Sequence, residues 1–313
     1  MNLCKGVLLT LGVAGILTAC REPARNPNTL TLGVSMSTFT FPYASAAVRE
    51  FKRYGREKEI DLILLDSQQD IQREDFNLDT LVSRNVDALL VNVVDSKGSR
   101  QALKKAAATG LPVLCFNSSV DSPESLGVRG YTGPQYYEQG AMAARVAGRL
   151  RSEGKAVIIT GTPGYSASHD RKKGFTDTLA HEGLGIQVLD IQTAHWMREN
   201  AQRLMSDFIA RYGTEIDLVY SQDDNMTAGA VNALRTAGYT PASKPTVISI
   251  GAMADGLPLV KEGWIDSTIL QSPREDSRLA VNTALGLLKE GKQSLSRTTS
   301  SRPGPWTNQT SRR

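Results

Sequence analysis

Residues 88–116 read ALLVNVVDSKGSRQALKKAAATGLPVLCF and predict one strand–helix–strand unit. The apolar run at 88–93 has the length of a buried strand, and apolar residues recur at helical spacing over 99–109. The sequence Gly110-Leu111-Pro112 then stops the helix, and a second apolar run covers 112–116. A helix between two buried strands is typical of a crossover between parallel strands. The stretch therefore predicts an α/β fold built on a parallel sheet.

The same alternation of strand and helix repeats along most of the chain. Strands are predicted at residues 29–34, 61–65, 88–93, 112–116, 156–160, 187–191, 218–221, 247–250 and 267–270. Helices are predicted at residues 44–59, 72–84, 99–109, 136–153, 168–182, 198–212, 226–237 and 274–289. Each repeat takes about 25 to 30 residues, as expected for βαβ units. A Gly- and Pro-rich loop at 130–134 separates two runs of repeats, so we expect two similar doubly wound lobes joined by a hinge.

The N-terminus resembles the signal sequence of a bacterial lipoprotein. Lys5 supplies a positive charge, residues 6–19 are an apolar run of 14 residues, and Leu17-Thr18-Ala19-Cys20 resembles a lipobox. The run is shorter than the roughly 20 residues that a membrane-spanning helix needs. We predict a signal peptide over 1–19, a lipid on Cys20 and a linker over 20–28. The protein would then lie in the periplasm or at the cell surface, anchored to a bacterial membrane. An ordinary secretory signal with a coincidental cysteine is the alternative.

Composition and charge exclude several classes of protein. Of 313 residues, 40% are hydrophobic and 22% are charged, which argues against a disordered chain and against several membrane spans. The net charge of +4 comes partly from the C-terminal tail, so we expect no nucleic-acid-binding surface. Cys115 lies in a predicted strand and is interpreted as a buried, unreactive thiol. With Cys4 in the leader and Cys20 assigned to a lipid, no cysteine remains for a disulfide or a metal site.

The loops that follow the predicted strands point to a binding site. In open parallel sheets, ligands bind beyond the carboxyl ends of the strands. Here these loops are rich in hydroxyl, amide, carboxylate and aromatic side chains. Such groups suit a polyhydroxylated ring, because its hydroxyls form directional hydrogen bonds while its C–H faces pack on aromatic rings. In one loop, Asp223 is interpreted as a ligand contact and Asp224 as the cap of the next helix.

Several short motifs follow one another in a specific order over residues 31–291. They are Ser37-Thr38, Phe41-Pro42-Tyr43, Leu65-Asp66-Ser67-Gln68, Gly110-Leu111-Pro112-Val113, Gly161-Thr162-Pro163-Gly164, Asp170-Arg171-Lys172-Lys173-Gly174-Phe175 and Gln222-Asp223-Asp224-Asn225-Met226-Thr227-Ala228-Gly229-Ala230. In order and spacing they resemble type I periplasmic sugar-binding proteins of ABC importers, the ribose- and galactofuranose-binding kind. The resemblance implies two lobes that close around one small ligand and dock on a permease. We also expect a monomer.

The resemblance implies a set of ligand-binding residues. They are Phe41, Tyr43, Asn117, Ser118, His169, Arg171, Trp196, Asp223 and Gln271. For the arginine of the second lobe, both Arg171 and His169 remain open. The chain departs from the family at two places, because Asn117-Ser118 stands where Asp-Arg is common and Gly251-Ala252-Met253 stands where an aspartate is usual. These departures imply a sugar-like ligand that is less hydroxylated, amidated or more apolar than ribose.

The resemblance also implies domain boundaries. The N-terminal lobe would comprise residues 29–132 and 272–291, and the C-terminal lobe residues 133–271. Trp196 is expected to lie in the cleft rather than in a core. Residues 292–313 contain few apolar side chains and are predicted to be a disordered tail.

Together these features predict an extracytoplasmic solute-binding lipoprotein that captures a sugar or sugar-like molecule and delivers it to an ABC permease. The alternative is a ligand-sensing receptor coupled to a chemoreceptor or a histidine kinase. We expect no enzyme, because the three histidines stand beside no serine or cysteine nucleophile at motif spacing. No catalytic residue, cofactor or metal is therefore predicted.

Overall fold

The computed structural model describes residues 29–290 and 305–307. The first of its two sheets has five parallel strands in the order β2-β1-β3-β4-β5. These strands are β1 (Thr31–Met36), β2 (Asp61–Asp66), β3 (Ala88–Val91), β4 (Val113–Phe116) and β5 (Tyr131–Thr132). The helices between them are α1 (Pro42–Glu57), α2 (Ile71–Ser83) and α3 (Arg100–Ala108). A 3-10 turn, Pro123–Leu126, precedes β5.

The second sheet has the order β11-β10-β9-β8-β6-β7 and is parallel except for β11. Its strands are β6 (Glu153–Thr160), β7 (Gly185–Thr193), β8 (Leu218–Ser221), β9 (Thr246–Gly251), β10 (Ser267–Leu270) and β11 (Pro305–Thr307). The helices of this half are α4 (Tyr136–Leu150), α5 (Ser166–His181), α6 (Arg198–Tyr212), α7 (Asp224–Thr236) and α8 (Leu257–Lys261). Two α/β lobes with parallel sheets are therefore present, as the sequence predicts.

The last described helix, α9 (Pro273–Glu290), returns to the first lobe. Tyr54 of α1 donates a hydrogen bond to Asn282 Oδ1 at 2.9 Å, and Ala280 and Val281 join the apolar core of the first sheet. The chain thus passes between the lobes three times: after β5, after β10, and again between α9 and β11, which pairs with β10 in the second sheet. We propose the lobe boundaries on this basis as 29–132 with 272–291 and 133–271.

Each predicted strand and helix overlaps an observed one, but the sequence did not predict β5, α8 or β11. These elements have two, five and three residues, too few for a hydrophobic period to be recognised. Residues 305–307 pair with β10, which differs from the disorder expected for the tail. The rest of that tail, the predicted signal peptide, the linker and Cys20 lie outside the described residues.

The burial of Cys115 supports its assignment as a structural thiol. Cys115 is fully buried in β4, and burial raises the pKa of its thiol to about 12. In the part of the chain that the structure describes, no helix is long and apolar enough to cross a membrane. Within 29–290, no group of three or more His, Cys, Asp or Glu side chains is arranged to hold a metal ion.

Candidate functional site

A cavity lies between the lobes, at the carboxyl ends of both sheets, where ligands bind in folds of this class. The first lobe contributes Ser37, Phe41, Tyr43, Ala44, Asn92 and Asn117 to its wall. The second lobe and the connection after β10 contribute Tyr136, Tyr165, Ala167, Arg171, Trp196, Asp223 and Gln271. Aromatic side chains from both lobes therefore face a small set of polar groups.

The lobes also touch each other beside the cavity. The backbone N–H of Ser96, in the loop after β3, donates to the carbonyl oxygen of Gly164 in the loop after β6 at 2.8 Å. Ser119 N–H donates to Ser166 Oγ at 3.3 Å. These hydrogen bonds join loops of different lobes, so the structure has the two lobes closed against each other.

Phe41 stands where the two apolar cores meet. It precedes α1 with an extended backbone, and the proline that follows it suits the first helical turn. Its ring packs against the cores of both lobes. Tyr43, the second residue of the helix, donates its hydroxyl to Asp276 Oδ2 of α9 at 2.8 Å. Burial and the Asp276 carboxylate raise the pKa of the Tyr43 hydroxyl well above its usual value, so Tyr43 stays neutral.

Trp196 forms the aromatic wall on the side of the second lobe. His195 and Trp196 both have left-handed backbone, with φ of 55° and 60°, which turns the chain sharply after β7. The indole lies directly over Gly161, where a Cβ atom would sit 2.0 Å from Trp196 Cζ2. Tyr165 meets the indole edge-to-face at 6.4 Å between centroids. Trp196 is only 7% exposed and belongs to the core of its lobe, contrary to the expectation of an open cleft residue.

Asp223 lines the cavity and also caps the helix α7. Its Oδ1 accepts the backbone N–H of Met226 at 2.7 Å, so Asp223 is the cap of this helix. The prediction that Asp224 is the cap was wrong. The helix begins at Asp224, and the Asp224 carboxylate instead accepts hydrogen bonds from Ser249 Oγ at 2.5 Å and Thr268 Oγ1 at 2.8 Å. Burial raises the pKa of Asp223 to about 7.

Arg171 is held by the protein itself on several sides. The guanidinium is 3% exposed, and its Nε donates to Gln139 Oε1 at 2.9 Å. Nη1 donates to the carbonyl oxygen of Gln222 at 2.8 Å, and Nη2 donates to Gln271 Oε1. The cation also lies 5.0 Å from the ring centroid of Tyr136. Arg171 therefore organises the cavity wall in addition to lining it.

Two predicted ligand-binding residues lie off the cavity wall. His169 is exposed, and its Nδ1 lies 2.9 Å from Asp170 Oδ1. It precedes Arg171 by two positions on α5, which places the two side chains about 200° apart around the helix. Of the two residues left open for the second-lobe position, the structure thus places Arg171 on the cavity. Ser118 is 1% exposed and does not line it, because neighbouring residues after a strand point to opposite sides.

The predicted set of ligand-binding residues leaves out four polar or aromatic residues of the cavity wall. They are Ser37, Asn92, Tyr136 and Tyr165. Asn92 Oδ1 accepts the hydroxyl of Ser37 at 2.6 Å, which fixes both side chains at the end of β1 and β3. A lone amide within the apolar run 88–94 was the available signal. Met253 does not line the cavity; its backbone N–H donates to Asp224 Oδ2 at 2.7 Å.

Comparison with known proteins agrees with this architecture. A family profile described as a periplasmic binding protein domain matches residues 32–293. A xylitol-binding protein of Mycolicibacterium smegmatis is 29% identical over 288 residues, which cover 91% of this chain and 80% of the relative. The ribose import binding protein of Bacillus subtilis is 27% identical over 292 residues, which cover 90% and 92%.

Solved structures show the same fold. A galactofuranose-binding protein superimposes with a TM-score of 0.83 at 22% identity, over 89% of this chain and 95% of that one. A solute-binding protein of an ABC transporter from Bacillus halodurans, with bound myo-inositol, gives 0.81 at 25% identity, over 90% and 95%. These relatives are binding proteins and not enzymes. The chain belongs to the periplasmic binding protein family, among relatives that are sugar-binding proteins of ABC transporters.

Proposed function

We propose that this protein is an extracytoplasmic solute-binding lipoprotein that captures a sugar or sugar-like molecule between its lobes and delivers it to the permease of an ABC importer. The observation that carries the proposal is the interlobe cavity, in which aromatic rings and directional polar groups face one another. A carbohydrate ring presents C–H faces and hydroxyl edges, so it matches such a lining on both counts. Ligand contacts made from both lobes favour the closed state over an open one.

The proposed ligand contacts follow from the wall of the cavity. Phe41 and Trp196 would pack on the faces of the ring, and Asp223 would accept hydrogen bonds from its hydroxyls. Asn117 would contact the ligand from the first lobe. Ser118 and His169 are not retained, because neither side chain reaches the cavity.

A binding screen tests the capture of a sugar. Purified protein is heated with xylitol, D-ribose, D-galactose or myo-inositol, and the unfolding temperature is measured. A ligand at 100 times its Kd adds about 2.7 kcal/mol of stability, so at least one of these compounds should raise the unfolding temperature by several degrees. Failure of all of them, and of their deoxy and keto derivatives, contradicts the proposal. A receptor for a membrane sensor would close in the same way, and uptake of the bound sugar by cells with and without this protein separates the two roles.

The lipid anchor is tested through Cys20. We expect cells grown with a palmitate analogue to label the wild-type protein and not Cys20→Ala, because the acylated thiol is then absent. Cys115→Ala is the matched control: it removes the buried thiol of β4 and should leave labelling unchanged. Equal labelling of Cys20→Ala and wild type would contradict the anchor, and an unlabelled, released wild type would support an ordinary secretory signal.

A further inference from the structure

We propose that Asn117 turns its amide N–H₂ group, and not its carbonyl oxygen, toward the ligand, and that Arg171 and Gln271 impose this orientation. The cavity would then recognise a ligand that offers a hydrogen-bond acceptor, such as a carbonyl or a ring oxygen, at the wall of the first lobe. This inference rests on the proposed function and adds to it a donor of fixed position. It also makes Arg171 and Gln271 positioning residues.

The orientation of these amides is set first by Arg171, because its guanidinium has only hydrogen-bond donors. Its Nη2 donates to the side chain of Gln271, so the atom of Gln271 that faces it must be the oxygen, Oε1. The other possible orientation of this amide would set two N–H donors against each other inside a buried site. Gln271 is 9% exposed and Arg171 is 3% exposed, so such a mismatch would leave two buried donors without an acceptor at a cost in stability.

The orientation of the Gln271 amide in turn determines the orientation of the Asn117 amide. With its oxygen occupied, Gln271 presents its Nε2 donor to Asn117, at 3.0 Å from Oδ1. The hydroxyl of Tyr136, which has one proton to donate, lies within hydrogen-bond distance of the same Oδ1, at 2.7 Å, and of the backbone oxygen of Asn117. Asn117 itself has left-handed backbone with φ of 56°, a conformation that asparagine adopts more readily than most residues. The Gln271 donor therefore fixes the position of the amide oxygen, and the one proton of Tyr136 is shared between that oxygen and the backbone oxygen.

The amide nitrogen of Asn117 is left for the ligand. No acceptor within the described residues receives a hydrogen bond from its Nδ2, and the side chain forms part of the cavity wall. Asp223, on the wall of the second lobe, uses Oδ1 for the cap of α7. The cavity thus offers a donor on the side of the first lobe and a carboxyl group on the side of the second. A neutral ring with an acceptor at one edge and hydroxyls at the other matches this arrangement.

A carboxylate in place of the Gln271 amide should reverse the orientation of the Asn117 amide. In Gln271→Glu both side-chain oxygens accept hydrogen bonds, so Arg171 remains satisfied and Asn117 must turn its Nδ2 toward residue 271. Gln139→Glu is the matched control. It makes the same chemical change against the same guanidinium, which Gln139 contacts through its own Oε1, and no hydrogen bond joins Gln139 to Asn117.

The first readout needs no ligand. In protein labelled with ¹⁵N-asparagine, the Nδ2–H₂ signal of Asn117 is assigned by its loss in Asn117→Ser. We expect fast exchange with water in the wild type and in Gln139→Glu, because this group faces the cavity. In Gln271→Glu we expect exchange at least tenfold slower, because the glutamate accepts from it. Slow exchange in the wild type, or unchanged exchange in Gln271→Glu, overturns the inference.

The second readout is ligand preference, and it does not depend on Gln271→Glu folding. The probes are myo-inositol and its 2-keto derivative, which replaces one hydroxyl with a carbonyl. A carbonyl cannot donate to a carboxylate, so Asn117→Asp should weaken binding of the keto compound relative to myo-inositol by about tenfold or more. An unchanged ratio overturns the inference. If neither probe binds the wild type, that result counts against the proposed function in its sugar class, and the exchange measurement still decides the orientation of Asn117.

Discussion

Replacing Trp196 with alanine is expected to weaken ligand binding by about tenfold and to lower the free energy of unfolding by about 3 to 5 kcal/mol. The binding loss follows from the apolar area that the indole and the facing ligand ring would together remove from water, of order 50 Å² at about 25 cal/mol per Å², because little of the buried indole is open to the cavity. The stability loss follows from burial, because Trp196 is only 7% exposed and packs in the core of the second lobe. Calorimetry and urea unfolding measure the two quantities separately.

Trp264→Ala is the matched control for this prediction. Trp264 is also 7% exposed and belongs to the same core, but it lies away from the cavity, beside the guanidinium of Arg235 at 4.8 Å. Its removal should cost a similar amount of stability and leave the Kd unchanged. A Trp196→Ala protein that binds as tightly as Trp264→Ala would show that the indole does not contact the ligand.

Gly161→Ala provides a second route to the same indole. The new methyl group would lie 2.0 Å from Trp196 Cζ2, so the ring has to move while its chemistry stays intact. Gly286→Ala is its control, because a Cβ there meets nothing within 4 Å. We expect Gly161→Ala to weaken binding strongly, and Gly286→Ala to leave binding unchanged and to stabilise α9 by about 0.5–1 kcal/mol.

The sequence predicted the two-lobed fold because its signal is local and repeated. Each strand is a short apolar run, and each helix carries an apolar stripe, as in the unit at 88–116. Tyr131–Thr132 escaped prediction because its position as a strand depends on pairing with β4, which no local pattern contains. The same holds for residues 305–307, which pair with β10 across a long separation in sequence.

The sequence predicted where the site lies better than it predicted which contacts its residues make. The loops after the strands located Asn117, Trp196 and Asp223 correctly on the cavity wall. The sequence could not tell which of the adjacent Asp223 and Asp224 caps α7, because either carboxylate stands close enough to the start of the helix. It could not tell that Arg171 is engaged by two glutamine side chains, because these partners are distant in sequence. Residues that line a cavity from inside a helix, such as Tyr136, look like ordinary packing residues in a periodic pattern.

The protein is expected to lose stability as the pH rises from 5 to 8, and Glu74→Gln should remove about 2–3 kcal/mol of that loss. Glu74 is fully buried; its Oε1 accepts the backbone N–H of Val94 at 3.0 Å, and Oε2 has no hydrogen-bond partner in the described residues. Burial is the main cause that raises the pKa of Glu74 from 4.5 to about 7; hydrogen bonds from Ser99 and Val94 oppose the shift, and the nearby Asp95 carboxylate adds to it. Urea unfolding at a series of pH values measures the change.

The sign of this pH dependence follows from whether the folded or the unfolded state holds the proton on Glu74. Below the unfolded pKa both states are protonated. Between that value and about pH 7 only the folded state keeps the proton on Glu74, so each increase in pH favours unfolding until the folded carboxyl also ionises. Asp223, with a pKa raised to about 7 by burial, acts in the same direction, so part of the slope should remain in Glu74→Gln.

Glu50 supplies the control of opposite sign. Hydrogen bonds from Arg53 and Arg278 lower its pKa to about 2, so the stability that it contributes is present above the unfolded pKa and is lost only as the pH falls from about 4.5 to 2. Glu50→Gln should therefore lower stability by the same amount at pH 5 and at pH 8. If Glu74→Gln also shifts stability equally at both pH values, Glu74 does not titrate in this range, and its carboxylate is charged in the folded protein.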